Sequence, residues 1–171
     1  SADFSWLNQG GATVSTVNGG DLLTLPASAS LSFRGRDKAA PATPYTIIAS
    51  LLIGVFPTNT VDTVGLYFSN GTALHTFGVG YNTGIDGGYY LLSGKFTNTT
   101  NYSANYLANP FNQFGPVVWF KIEDDNSNRI CSISADGKEN WIVYTSIGRT
   151  DFLTATRIGF GGSVTDASNP A

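Results

Sequence analysis

The sequence predicts an all-β protein, a two-sheet antiparallel β-sandwich of the jelly-roll kind, and three observations predict it. Apolar residues do not recur with helical periodicity anywhere along the chain. Short runs punctuated by Gly, Pro, Asn or Asp recur from one end to the other. The composition is rich in Gly (20 residues) and aromatics (13%) but carries only 12% charged residues, about half the usual share, so hydroxyls and amides must make the surface polar. At 171 residues the chain reads as a single domain spanning 1–171, long enough to bury a substantial core.

Taken in order, strands are predicted near 4–8, 12–17, 21–25, 29–34, 45–56, 62–69, 72–81, 88–97, 117–125, 128–135, 141–146 and 157–164. The run IIASLLIGVF (Ile47 to Phe56) is β-branched and apolar, as a buried strand requires, and is about half the ~20 residues of a membrane span. Asn70-Gly71 is a strong hairpin signal; a two-residue turn there sets Phe68 opposite Ala73, Leu66 opposite His75 and Val64 opposite Phe77. The apolar residues then share one face, which puts His75, the sole histidine, on the core side. Packed and hydrogen-bonded imidazole is its expected role, because no neighbour supplies the acid and nucleophile of a catalytic set. The stretch 98–116, NTTNYSANYLANPFNQFGP, lacks alternation and reads as a long loop with room for at most a short helical turn.

A second hairpin turns at Asn126-Ser127. Its register sets Ile122 opposite Cys131 and Phe120 opposite Ile133, so these four face the core. The other face then carries Trp119, Lys121 and Glu123 across from Ser134, Ser132 and Ile130. An aromatic beside a lysine and two serines is the best candidate contact surface, since rings stack on apolar faces while polar neighbours fix orientation. Trp119, Lys121, Ser132 and Ser134 are therefore the candidate ligand- or partner-contact residues; no catalytic residue is predicted.

SADGKENW (Ser134 to Trp141) leaves two registers open. A strict two-residue Asp136-Gly137 turn sets Trp141 opposite Ser132, on the face of Trp119; a Gly bulge sets it against Ile133, in the core. The bulge is favoured, because a buried indole is a large part of a sandwich core.

Composition also excludes. A net charge of −3 offers no basic face for nucleic acid and no attraction to anionic lipid. Cys131 stands alone, so no intrachain disulfide forms, and its setting RICSIS is that of a small core residue. SADFSW lacks the basic and apolar regions of a signal peptide, so the chain is made without one or is already processed. Asp124, Asn126 and Asn128 alternate like calcium ligands, but the turn Gly and closing Glu of such loops are missing. No metal or cofactor is expected.

The run WFKIEDDNSNRICSISADGKENW, followed by RIGFGG, resembles the C-terminal half of concanavalin A-like, laminin-G-type jelly rolls. Trp119 and Ile122 match the strand W-x-x-I, Ser134, Asp136 and Gly137 the turn S-x-D-G, and Ile158-Gly159-Phe160 a late strand. Three residues separate the Gly from Trp141 where two are usual, a further reason to expect a bulge. LSFRGRDKAAPATPYTIIASL is similar to the paired strands opening such domains in virion-associated proteins of tailed phages. The resemblance covers about two-thirds of the chain and implies the fold more than a function. Hydrolases of this superfamily carry E-x-D-x-x-E on one strand; here the only glutamates are Glu123 and Glu139, beside predicted turns. Asp124, Asp125 and Asp136 are each explained by turn chemistry rather than as a carboxyl pair across a scissile bond.

The expectation is thus a non-catalytic bacteriophage virion-surface module, a head decoration or cement protein or a fibre domain. Its partners are other virion subunits and copies of itself, with surface glycans as a further ligand. The alternative is a carbohydrate-binding module of a secreted enzyme or adhesin, and a glycoside hydrolase comes third.

Overall fold

The computed structural model describes residues 3–54, 62–82, 88–110 and 117–165. Its strands are β1 (Ser5–Leu7), β2 (Thr13–Val17), β3 (Gly20–Thr24), β4 (Arg34–Ala39), β5 (Tyr45–Leu52), β6 (Thr63–Ser69), β7 (Leu74–Tyr81), β8 (Tyr89–Asn98), β9 (Asn101–Pro110), β10 (Val117–Asp124), β11 (Asn128–Ser134), β12 (Ile142–Gly148) and β13 (Arg157–Ser163). They form a seven-stranded sheet ordered β1-β4-β13-β6-β7-β8-β9, a four-stranded sheet ordered β12-β11-β10-β5, and the separate hairpin β2-β3. Every pairing is antiparallel. The molecule is an all-β sandwich.

The main core lies between the two large sheets. Leu66, Phe68, Phe77, Phe120, Ile122 and Cys131 are buried in it, as alternation predicts, while Val64 and Ile133 pack against it partly buried. A second cluster, Phe33, Tyr67, Leu74 and Phe96, lies on the other face of the seven-stranded sheet. Backbone bonds hold the segment before β4 in place there: Ser28 donates to Val164 and Phe33 to Thr99, and the Arg34 guanidinium reaches back to the Pro26 carbonyl.

The seven-stranded sheet is drawn together by small residues in register. Gly35 pairs with Gly161, Gly161 with Gly65, and Gly65 with Gly78, so one glycine from each of β4, β13, β6 and β7 forms a row across it. A Cβ on Gly65 would stand 2.6 Å from the Gly78 Cα, and one on Gly78 equally close to the Gly65 Cα. Backbone on both sides cannot yield as a flexible side chain would.

Four expectations are corrected. The strand expected at 29–34 is β4, at 34–39: residues ahead of Arg34 run irregularly. The 98–116 stretch is not a loop over its described part, because β9 occupies 101–110 and continues the sheet from β8. Its pairing shifts register between Ser93 and Gly94 and twice more before Asn98, and those irregularities break the period-two pattern that alternation would reveal. Residues 111–116 lie outside the described residues, as do 55 and 56 of the expected fifth strand.

The third correction is the first hairpin, whose register is offset by two: Phe68 faces His75, Leu66 faces Phe77 and Val64 faces Val79. A type I′ turn needs positive φ at both central residues, and only Gly71 has it (φ 93°). Asn70 instead accepts from the Thr72 and Ala73 amides at 3.0 and 2.9 Å, closing a four-residue loop. An offset of two leaves every side chain on its expected face. At the second hairpin the predicted register holds throughout, Trp119 to Asp124 against Ser134 to Arg129. The Asp125 carboxylate fixes that turn, accepting from the Ser127 and Asn128 amides at 2.8 and 2.6 Å.

The fourth is Trp141. Ile133 pairs with Ile142 and Ser132 with Val143, so the indole precedes β12 on the Ser134 side and belongs to no core cluster. The extra residue is absorbed one strand on: the register slips between Cys131 and Ser132, leaving Tyr144 unpaired. Tyr144 turns against the core and donates to the Leu91 carbonyl at 2.7 Å.

Candidate functional site

Strand alternation puts two registered rows on the outer face of the four-stranded sheet. One runs Ile48, Lys121, Ser132, Val143 across β5, β10, β11 and β12; the next runs Ser50, Trp119, Ser134. Leu52 lies beyond, at the end of β5. Ile48, Leu52 and Val143 are 45%, 72% and 60% exposed, large apolar side chains where alternation calls for polar ones.

The predicted contact residues separate into two pairs. Trp119 and Lys121 lie on this face, both partly exposed. Ser132 and Ser134 are buried. Ser134 is committed to the 135–141 loop: its hydroxyl donates to the Asp136 carboxylate at 2.8 Å and accepts from the Asp136 and Gly137 amides. The Ser132 hydroxyl has no hydrogen-bond partner among the described residues. In place of the serines, the geometry brings in Trp141. Its indole N–H donates to the Lys138 carbonyl at 2.8 Å, and the Lys121 ammonium lies 5.0 Å from its ring centroid. Lys121 also pairs with Glu123 of the same strand at 2.8 Å, so its own charge is balanced there.

Gly137 makes that arrangement possible. Its φ is 69°, and a Cβ there would stand 2.6 Å from Trp119 Cε2, so the loop crosses one face of the indole by backbone alone. Trp119 is thus covered in part by its own chain. The sequence signals for this were present in SADG, but the position of Trp141 depended on a bulge at Tyr144, seven residues beyond the turn's own glycine, and the resulting register is neither of the two candidates.

The polar groups elsewhere have structural partners. His75 is fully buried between the sheets: Nε2 lies 2.8 Å from the Ser93 hydroxyl, which lies 3.1 Å from that of Thr145. Phe68 stacks on its ring and Tyr106 meets it edge-on. Burial, then the Arg129 and Lys95 charges, holds its pKa well below the ordinary histidine value, so the ring is neutral. The Cys131 sulfur is 3.9 Å away, with its pKa pushed up to about 12 by burial. A thiol so protonated is no nucleophile.

The carboxylates that alternation or spacing singled out are likewise occupied. Asp124 takes the Arg149 guanidinium at 2.8 Å, where a calcium reading would need a cation, and Asp125 and Asp136 cap turns. Backbone amides hold both of the latter below the usual carboxylate range. Asp37 pairs with Arg157 at 2.5 Å, and Asp62 accepts from the Thr165 amide and hydroxyl. Among the described residues no three His, Cys, Asp or Glu side chains gather as a metal set would.

One small hollow lies on the other side of the molecule, a cavity of about 90 Å³ lined by Asn82, Tyr90, Leu92, Phe96, Tyr102 and Asn105, among others. The Tyr102 hydroxyl donates to the Asn105 side chain across it. Sequence reasoning missed this hollow because β9, which forms one wall, carries no alternation.

No family model matches the chain, and no curated protein matches it. Solved structures do. A protein of unknown function from Saccharomyces cerevisiae matches with a TM-score of 0.67 at 12% identity, over 97% of this chain and 88% of that one. A Bacteroides ovatus GH16 protein of a mixed linkage glucan PUL, solved in complex with a product, matches with a TM-score of 0.56 at 12% identity, over 96% and 85%. At such identity the likeness shows the fold alone: a concanavalin A-like jelly roll.

Proposed function

We propose that the chain is a non-catalytic structural module that docks onto neighbouring subunits through the outer face of its four-stranded sheet. The observation that carries the reading is the run of exposed Ile48, Leu52 and Val143 around Trp119 and Trp141, on a face where Lys121 pairs with Glu123 of its own strand. Apolar side chains flanking aromatics are what the centre of a protein–protein interface is made of. The setting proposed for it is a bacteriophage virion surface, on the strength of the similarity carried by LSFRGRDKAAPATPYTIIASL.

A carbohydrate-binding role is the second reading, favoured by the two indoles that share the face with Lys121. It is weakened by the loss of Ser132 and Ser134, which leaves a sugar's hydroxyls few groups to bond. A glycan array and pull-down of particle proteins, each run with the parent chain and with Trp119→Ala/Val143→Ser, separate the two. Retention of virion subunits by the parent alone supports docking. Binding to a glycan lost in the variant, with no subunit retained, replaces it with the second reading.

A further inference from the structure

We infer that β5 is a pairing edge at which a second copy of this chain adds its own β5 antiparallel, joining two four-stranded sheets into one. The inference is independent of what covers the outer face. Its ground is a contrast among the edges of the two large sheets. β1 is only three residues long, β9 is broken by three register shifts and ends in Pro110, and β12 is bulged at Tyr144. Short length, bulges and proline are the devices by which proteins blunt an open edge. β5 has none of them. It runs eight residues, YTIIASLL, in unbroken register with β10, without charge, proline or glycine, and no described strand pairs with its far side.

The outward amides and carbonyls of such an edge, which no described strand pairs, suit another β-strand. The side chains specify the same chain. Ile47, Ala49 and Leu51 pack against the core yet stay only partly buried along this edge of the sandwich. A partner that closes it must carry an apolar layer at the same depth, which a second copy does. In an antiparallel self-pairing centred on Ile48 or on Ala49, paired residues have numbers summing to an even value, so core-facing side chains meet core-facing ones and Ile48 and Leu52 remain outside. No charge in β5 meets its like, and Lys121 and Glu123, one strand in, neutralise each other within each copy.

The test is sedimentation of the full chain from low micromolar to near-millimolar concentration, with hydrogen exchange at both ends of the range. The expected result is a dimer that dissociates on dilution, with peptides covering 45–52 protected only when concentrated. Thr46→Lys/Ser50→Lys, two exposed positions that leave the apolar row intact, should weaken association at least tenfold without lowering the thermal midpoint of the dilute monomer. A monomer throughout, or a dimer whose concentration-dependent protection falls on 130–146 instead, overturns the inference. The second of these leaves docking by the outer face standing.

Discussion

Ser132 is a buried hydroxyl with no hydrogen-bond partner among the described residues. A buried, unpaired polar group costs about 1–3 kcal/mol, and removing it recovers part of that. Ser132→Ala should therefore raise stability by about 1 kcal/mol, read as a higher midpoint in denaturant titration. A loss of stability would mean the hydroxyl is bonded after all. His75 sets a pH dependence of a different kind. Its folded pKa lies below the unfolded value of about 6.5, so the unfolded chain takes up the proton first as pH falls. Its contribution is fully present above about pH 6.5 and is lost below it, at up to about 1.4 kcal/mol per pH unit, until the folded ring itself protonates. Arg129 and Lys95 act on the ring with the same sign, and its described hydrogen-bonding partners, the Ser93 hydroxyl and the Cys131 sulfur, are neutral, so the charged form is disfavoured. His75→Gln should flatten the stability profile between about pH 5 and 6.5, a window clear of the carboxylates near pH 4. An equally steep profile in the variant would assign the acid sensitivity elsewhere.

At the scale of elements, the glycine row sets how closely β6 and β7 approach. Gly78→Ala places a methyl against the Gly65 backbone, and one strand must move away. The expected cost is at least about 3 kcal/mol, at the upper end of overpacking, measured by chemical denaturation. A substitution tolerated within 1 kcal/mol would show that the strands separate freely. The same scale shows what was legible beforehand. Wherever alternation is intact, as along β10 and β11, residues, faces and register are all predictable from the chain. Where a side chain competes for turn amides, as at Asn70, the register moves by two and only the faces survive. Where a bulge intervenes, as in β9 and at Tyr144, the pattern carries no phase, and both the strand at 101–110 and the side of Trp141 are lost. The candidate face was therefore half legible: Trp119 and Lys121 follow from a regular hairpin, while Ser134 is taken up by a loop whose path no local rule fixes.

For the molecule as a whole, one consequence follows from the order β4-β13-β6. The last described strand, β13, sits inside the larger sheet, tied to β4 across some of the longest separations in the chain; Arg157 bonds both Asp37 and Ser5. During synthesis β4 and β6 must each wait with an open side until residue 163 has emerged, whatever hairpins have closed in the meantime. The timetable of the ribosome, rather than the strength of any contact, then decides when the sandwich exists. A nascent chain stalled before Arg157 holds two unfinished half-sheets and lacks β13, the strand that joins them.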